Sequence, residues 1–243
     1  MLPHKPRGVV SRAEQTIIER ALMNHLYLIR HGENRANLTL EFSYKNVDSP
    51  LTPRGVLQAQ QTAAYLADKE IDAIYSSPLK RTLQTAEIIA SHLNLEIEVL
   101  ENFREMNVGQ LEGHPDLTEA WKINYQVTDA WWAGQPEKPF PGGENRTNLW
   151  ARMQAGLTQI SEGKSGRNLV VIGHGGLFTF TVEYLCPQDD FSWLEESVNY
   201  NCSISEVTLN QHNGSLCGRL VRWAWYEHLH GKAAQVVSGL ARH

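Results

Sequence analysis

The feature that most constrains this chain is a repeated alternation, in which a short apolar run of strand length is followed by a stretch with helical spacing. Residues 25–29 form the first such run, which ends at Arg30-His31-Gly32. After a loop rich in Asn and Ser, Thr52-Pro53 supplies a cap followed by proline at the first helical position, and Val56, Ala59, Ala63 and Leu66 then recur on one face. Residues 71–75 read as a second strand. Ser76-Ser77-Pro78 repeats the cap-then-proline start, with Leu83, Ala86, Ala90 and Leu93 marking a buried face. Residues 97–100 read as a third strand, and Leu149, Met153, Leu157 and Ile160 mark another helix. The strongest buried-strand run, 169–172, ends at Gly173-His174-Gly175-Gly176, ahead of a helix over 177–185 that Pro187 stops. Residues 203–209 and 216–223 flank the turn signal Asn213-Gly214 and read as a hairpin.

This pattern predicts an α/β three-layer sandwich: a mostly parallel central sheet with helices on both faces and an antiparallel edge strand. Residues 113–143 break the rhythm with prolines, glycines and the tryptophans Trp121, Trp131 and Trp132, so an insertion over one edge of the sheet is expected there. The expected organisation is an N-terminal extension over 1–24, containing a weakly amphipathic run at 12–23, and one domain over 25–243. A net charge of -5 gives no electrostatic case for nucleic acid or an anionic membrane as partner, so any positive potential has to be local. The 3 cysteines, Cys186, Cys202 and Cys217, form no CxxC pair and no even set, which argues against a disulfide framework or a structural zinc site. No apolar run approaches the roughly 20 residues of a spanning helix. The first 24 residues carry charges throughout, and a cytoplasmic protein is the expectation. A homodimer stays open.

Open parallel sheets collect ligands beyond the carboxyl ends of their strands. His31 and His174 both fall at such positions, each beside glycines that let a ligand approach main-chain amides. A loop histidine alone is most often a solvated side chain. Here Arg30 precedes His31, and Arg81 lies in the first turn of a helix, again just past a strand. Two guanidiniums beside two imidazoles describe a site for a phosphoryl group, because arginine offers fixed donors that match phosphate oxygens.

Arg30-His31-Gly32-Glu33, with Asn37 following, resembles the signature of the histidine phosphatase superfamily, which includes the cofactor-dependent phosphoglycerate mutases. The resemblance continues in Leu51-Thr52-Pro53-Arg54-Gly55, in Ser76-Ser77-Pro78-Leu79-Lys80-Arg81-Thr82 and in Arg104-Glu105-Met106-Asn107-Val108-Gly109. It closes with Phe140-Pro141-Gly142-Gly143-Glu144, Gly173-His174-Gly175-Gly176 and Asn201-Cys202-Ser203-Ile204. Ordered blocks of this kind are far more specific than a lone RHG triplet.

The resemblance implies that His31 accepts the phosphoryl group, that Arg30 and Arg81 clamp it, that His174 is the second histidine and that Glu105 is the proton donor. It implies a further phosphate contact from Asn37. Asn34 departs from the Ser or Thr more usual in the family, and it is expected with Gly175 to make local substrate contacts. Arg35 is the expected extra cation for a second anionic group. Glu33, Glu112 and Glu144 are read as structural carboxylates.

The function so implied is metal-independent hydrolysis of a small phosphorylated metabolite through phosphohistidine, with no cofactor. Two alternatives remain: mutase-type phosphotransfer, and a phospholigand-binding module without turnover. Between Gly113 and Gly143 the basic side chains are Lys122 and Lys138 apart from His114, which favours the phosphatase, since a mutase is expected to carry more cations there for a substrate carboxylate. The tryptophans either wall a pocket for an apolar leaving group or pack the insertion on the body. The resemblance begins at His25, which makes Met23 a candidate translation start.

Overall fold

A computed structural model describes residues 23–212 and 215–235. Most of the amphipathic run at 12–23 and the turn Asn213-Gly214 lie outside the described residues. The strands are β1 (Asn24–Arg30), β2 (Ala73–Ser76), β3 (Ile97–Val99), β4 (Asn168–Gly173), β5 (Ile204–His212) and β6 (Ser215–Trp225). The helices are α1 (Arg35–Thr39), α2 (Pro53–Leu66), α3 (Lys80–Leu93), α4 (Leu117–Trp132), α5 (Arg146–Ser161) and α6 (Gly175–Leu185).

The strands form one 6-stranded sheet in the order β3-β2-β4-β1-β5-β6. The pairs β1/β4, β4/β2 and β2/β3 are parallel, while β5 runs antiparallel to both β1 and β6. Strand alternation sorts the core into two layers. Tyr27, Ile29, Val170 and Ile172 pack with Ala63 and Leu66 of α2 and with Ala86, Ile89 and Ala90 of α3. Leu26, Leu28, Leu169 and Val171 face the other way, towards Leu149, Met153 and Leu157 of α5 and Leu177 and Phe178 of α6. The expected α/β sandwich with an antiparallel edge is the fold found.

Local chemistry explains the departures from the sequence reading. Thr52 caps α2 as expected, its hydroxyl accepting from the Gly55 N–H at 3.1 Å. The similar Ser-Ser-Pro start does not work that way: α3 begins at Lys80, and its cap residue Leu79 offers no side-chain bond. The Ser77 hydroxyl is instead committed to His174. The Asn-rich loop after β1 contains the short α1, which a reciprocal pairing of Asn34 and Asn37 side chains with each other's backbone N–H groups holds at its start.

The largest difference is in 113–143, where the chain forms the 16-residue α4. Asp116 caps it, accepting from the Thr118 and Glu119 N–H groups at 2.9 and 3.1 Å. Ala120, Asn124, Val127 and Trp131 are its buried stripe. Residues of this helix line the cavity beyond the strand ends, and Trp131 anchors it edge-on against Phe140 and Phe180. Among the described residues, no helix is long and apolar enough to cross a membrane.

Candidate active site

Beyond the carboxyl ends of β1 and β4 lies a cavity of about 570 Å³ whose inner end is lined by Arg30, His31, Arg81 and Glu105. The backbone carrying His31 is pressed against the start of α2. A Cβ on Gly32 would stand 2.6 Å from the Gly55 carbonyl oxygen, and one on Gly55 would stand 2.1 Å from that of Glu33. Neither position can carry a side chain without moving the loop. The Thr85 hydroxyl accepts from the Gly32 N–H at 3.0 Å, and Asn201 Nδ2 donates to the His31 carbonyl at 3.0 Å.

These contacts fix the imidazole. His31 Nδ1 lies 2.7 Å from the Gly32 carbonyl, to which only a protonated nitrogen can bond, so Nε2 carries the lone pair. Arg81 Nε donates to that Nε2 at 3.1 Å. The same guanidinium donates through Nη2 to His174 Nδ1 at 3.0 Å and to the Ser43 carbonyl at 2.7 Å, and through Nη1 to the Ser43 hydroxyl at 2.9 Å. His174 is thereby also a neutral imidazole, protonated on Nε2 and donating to Ser77 Oγ at 2.7 Å. The two rings stand edge to face with centroids 5.4 Å apart.

Electrostatics agree with this tautomer assignment. Burial, then the charges of Arg81 and Arg30, hold His31 well below the ordinary 6.5 for imidazole. Burial and Arg81 do the same to His174. Burial lowers both arginines to about 10, which leaves them charged at neutral pH. Arg30 donates through Nη1 to the Asn199 carbonyl, whereas its buried Nε has no hydrogen-bond partner among the described residues.

Glu105 sits at the start of α6. Its Oε1 accepts from the Met106 and Leu177 N–H groups at 2.9 and 2.8 Å, and Oε2 accepts from the Gly176 N–H at 3.2 Å. A Cβ on Gly176 would stand 2.9 Å from Oε1, so the absence of a side chain there lets the carboxyl group seat.

The structure thus brings His31, Arg30, Arg81, His174, Glu105 and Gly175 together at the strand ends, with His174 directly behind Arg81. Asn37 reaches the cavity, and its Oδ1 accepts from both the Asn34 N–H and Asn201 Nδ2 at 3.1 Å. Asn34 also borders it, although its side-chain oxygen is committed to capping α1. Arg35 is exposed and does not line the cavity. Glu33 accepts from Thr52 Oγ1 and Arg54, and Glu144 accepts from Arg152 and the Asn107 N–H.

Sequence reasoning missed the supports. Ser43, Ser77 and Asn199 each hold a site residue in place, as described above. Glu112 acts one step further out, its Oε1 accepting from the N–H groups of Tyr44, Lys45, Asn46 and Val47 at 2.6–3.1 Å. Burial alone would raise this carboxyl group, yet the four backbone donors outweigh it and hold Glu112 below the ordinary range. It pins the loop that presents Ser43 to Arg81. Ser77 and Asn201 lie inside the quoted motif blocks, whereas Ser43 and Asn199 carried no signal of their own.

A neutral, oriented imidazole beside two buried guanidiniums at the strand ends of an α/β sheet is an arrangement suited to holding a phosphoryl group. The family model of the histidine phosphatase superfamily (branch 1) matches residues 26–223. The chain belongs to that superfamily and is an enzyme of the phosphatase type. It is 36% identical over 194 residues to the probable phosphoglycerate mutase GpmB of Proteus mirabilis (strain HI4320), covering 76% of this chain and 85% of that one. It is 33% identical over 153 residues to the uncharacterized phosphatase PhoE of Bacillus subtilis (strain 168), covering 63% of this chain and 72% of that one. Among solved structures, phosphoserine phosphatase from Entamoeba histolytica in complex with 3-phosphoglyceric acid superposes with a TM-score of 0.68 at 28% identity, covering 86% of this chain and 100% of that one.

Proposed function

We propose that this chain hydrolyses small phosphomonoesters through a phosphohistidine intermediate on His31. The observation that carries the reading is the orientation of that ring: Nδ1–H is held on the Gly32 carbonyl, and the Nε2 lone pair faces the guanidinium of Arg81. When a phosphoryl group enters, Arg81 exchanges Nε2 for a phosphate oxygen, which frees the lone pair for attack. Arg30, which lines the same end of the cavity, supplies a second clamp. His174 stays neutral and steadies Arg81. The guanidiniums together offset the charge that spreads over the equatorial oxygens, so the residues present can supply this stabilisation without a metal.

The steps balance. The Nε2 lone pair forms a bond to phosphorus while the bond to the ester oxygen breaks, and protonated Glu105 gives its proton to that oxygen, releasing the alcohol. Water then attacks the phosphohistidine, Glu105 takes a proton from it, and the P–N bond breaks to release inorganic phosphate and restore His31. Glu105 is placed for this because its oxygens are oriented by backbone N–H groups on a helix start and do not depend on a mobile partner.

Mutase-type transfer is the second reading, favoured by the name of the Proteus mirabilis relative. Against it, Lys122 lies 3.3 Å from Glu119 and Lys138 donates to the Gln126 carbonyl at 2.9 Å, and neither lines the cavity. A panel of phosphate esters, with free and transferred phosphate measured together, separates the two. The expected result is one free phosphate per ester consumed. Interconversion of phosphoglycerate isomers without phosphate release would overturn the hydrolase reading.

A further inference from the structure

Outside its phosphate end, the cavity changes character. Its walls there are built by Leu40, Phe42, Trp121, Tyr125, Trp132 and Phe180. Trp121 packs on Phe42 with centroids 4.6 Å apart, its indole N–H donating to the Leu40 carbonyl at 2.9 Å, so this wall is held in one orientation. Trp132 is backed by Arg146, whose guanidinium lies 5.0 Å from the indole centroid. That cation serves the wall and not a ligand: it donates to the Phe180 carbonyl at 2.9 Å and to Glu183 at 2.6 Å.

Charge on the lining runs the other way from what an anionic leaving group needs. The arginines and lysines among the lining residues are Arg30 and Arg81 alone, both at the phosphate end. Glu41, Glu195 and Glu196 stand at the exposed mouth, with Glu105 inside.

We infer that the preferred substrates are phosphomonoesters of an alcohol that carries an aromatic or apolar body and no second anionic group. This rests on the phosphatase reading and narrows it. The volume of about 570 Å³ leaves room for such a body beside the phosphate, within the usual size of small-ligand sites. Rings laid against these half-buried aromatic walls gain binding through the apolar area they cover, whereas a carboxylate placed there meets no lining arginine or lysine. The reaction gives that alcohol and inorganic phosphate.

The test compares kcat/KM for ethyl phosphate, phenethyl phosphate and para-carboxyphenethyl phosphate, whose leaving alcohols are all aliphatic. The phenethyl ester is expected to exceed the ethyl ester by roughly tenfold or more, from the ring area buried. The para-carboxylate is expected to remove that gain. A carboxylated ester as good as the phenethyl ester, or an ethyl ester equal to it, would overturn the inference while leaving the phosphatase reading intact. No hydrolysis of any of the three, nor of p-nitrophenyl phosphate, would remove both. Glu195→Lys with Glu196→Lys, at exposed positions, should raise the ratio of carboxylated to phenethyl turnover several-fold; an unmoved ratio would also contradict the inference. Trp121→Leu should lower the phenethyl-to-ethyl ratio.

Discussion

The two ends of the cavity are built on different terms. At the inner end, His31 and His174 come from strand ends, Arg81 from a helix start and Glu105 from the loop after β3, and their polar atoms bond to one another, to backbone or to the Ser43 and Ser77 hydroxyls. At the outer end, side chains of α4 and of the segment after β1 meet as aromatic rings under an acidic mouth. On the proposed reading, the inner end is hydrogen-bond geometry that any phosphate ester would use, and the outer end is shape and charge that distinguish one ester from another. Reaction and selectivity are thereby assigned to separate parts of the sequence, and substitutions at the two ends should produce different kinetic signatures.

The largest effect is expected from Arg81→Ala, which removes the donors to His31 and His174 together with a phosphate clamp. Steady-state kinetics should show kcat/KM falling on the order of a thousandfold for every ester alike. A loss confined to some esters would mix the roles of the two ends.

Glu105→Gln keeps one oxygen, enough for the Met106 and Leu177 N–H groups, but loses the acceptor for the Gly176 N–H and the acidic proton. Turnover of alkyl esters should slow by about a hundredfold, the usual scale for a general acid. p-Nitrophenyl phosphate, whose leaving group needs no proton, should still phosphorylate the enzyme, as a rapid-quench measurement would show. Equal slowing of the phosphorylation step itself for both kinds of ester would assign Glu105 a positioning role only.

Glu112→Gln acts at one remove, loosening the backbone that carries Ser43. A stability loss of about 1 kcal/mol by thermal melt is expected from weakening a half-buried acceptor of several donors. A several-fold fall in kcat should accompany it, because Ser43 no longer holds Arg81.

The smallest effect is in acid stability. His31, His174 and His228 are all depressed in the fold, His228 to about 4 and chiefly by burial. Their stabilising contribution is complete above the unfolded value of 6.5. It declines as pH falls below 6.5, because the unfolded chain then takes up protons that the fold refuses, and for His228 it is gone once pH passes below about 4. His228→Gln should flatten the denaturant midpoint against pH in that window. If His31 is the nucleophile, as proposed, activity should by contrast persist below pH 6.5, since burial and the neighbouring arginines oppose its protonation.

The inner end was largely legible in the sequence because its chemistry is local. A histidine after a buried strand, an arginine in the first turn of a helix and a proline-marked helix start each carry their position in a few residues, as Thr52-Pro53 does for α2. Where a short-range signal had two uses, it misled: Ser77 looked like a cap and instead orients His174. The outer end was hidden because it depends on residues far apart in the chain. The stripe Ala120, Asn124, Val127 and Trp131 was present, but prolines and glycines around it masked the helix. The partnership of Trp121 with Phe42 spans a distance no local pattern reports. The expectation that Arg35 meets a second anion rested on its nearness in sequence to His31; its side chain is exposed and does not line the cavity, although its neighbours Asn34, Ala36 and Asn37 do.

The most direct test of the account is to mix the enzyme with a phosphate ester, quench in alkali within a turnover and locate the phosphate by peptide mass spectrometry. The account predicts phosphate on His31, formed and discharged fast enough to support steady-state hydrolysis and absent from His31→Ala enzyme that retains its circular dichroism spectrum. Phosphate on His174, or sustained hydrolysis by His31→Ala without a labelled intermediate, would contradict it.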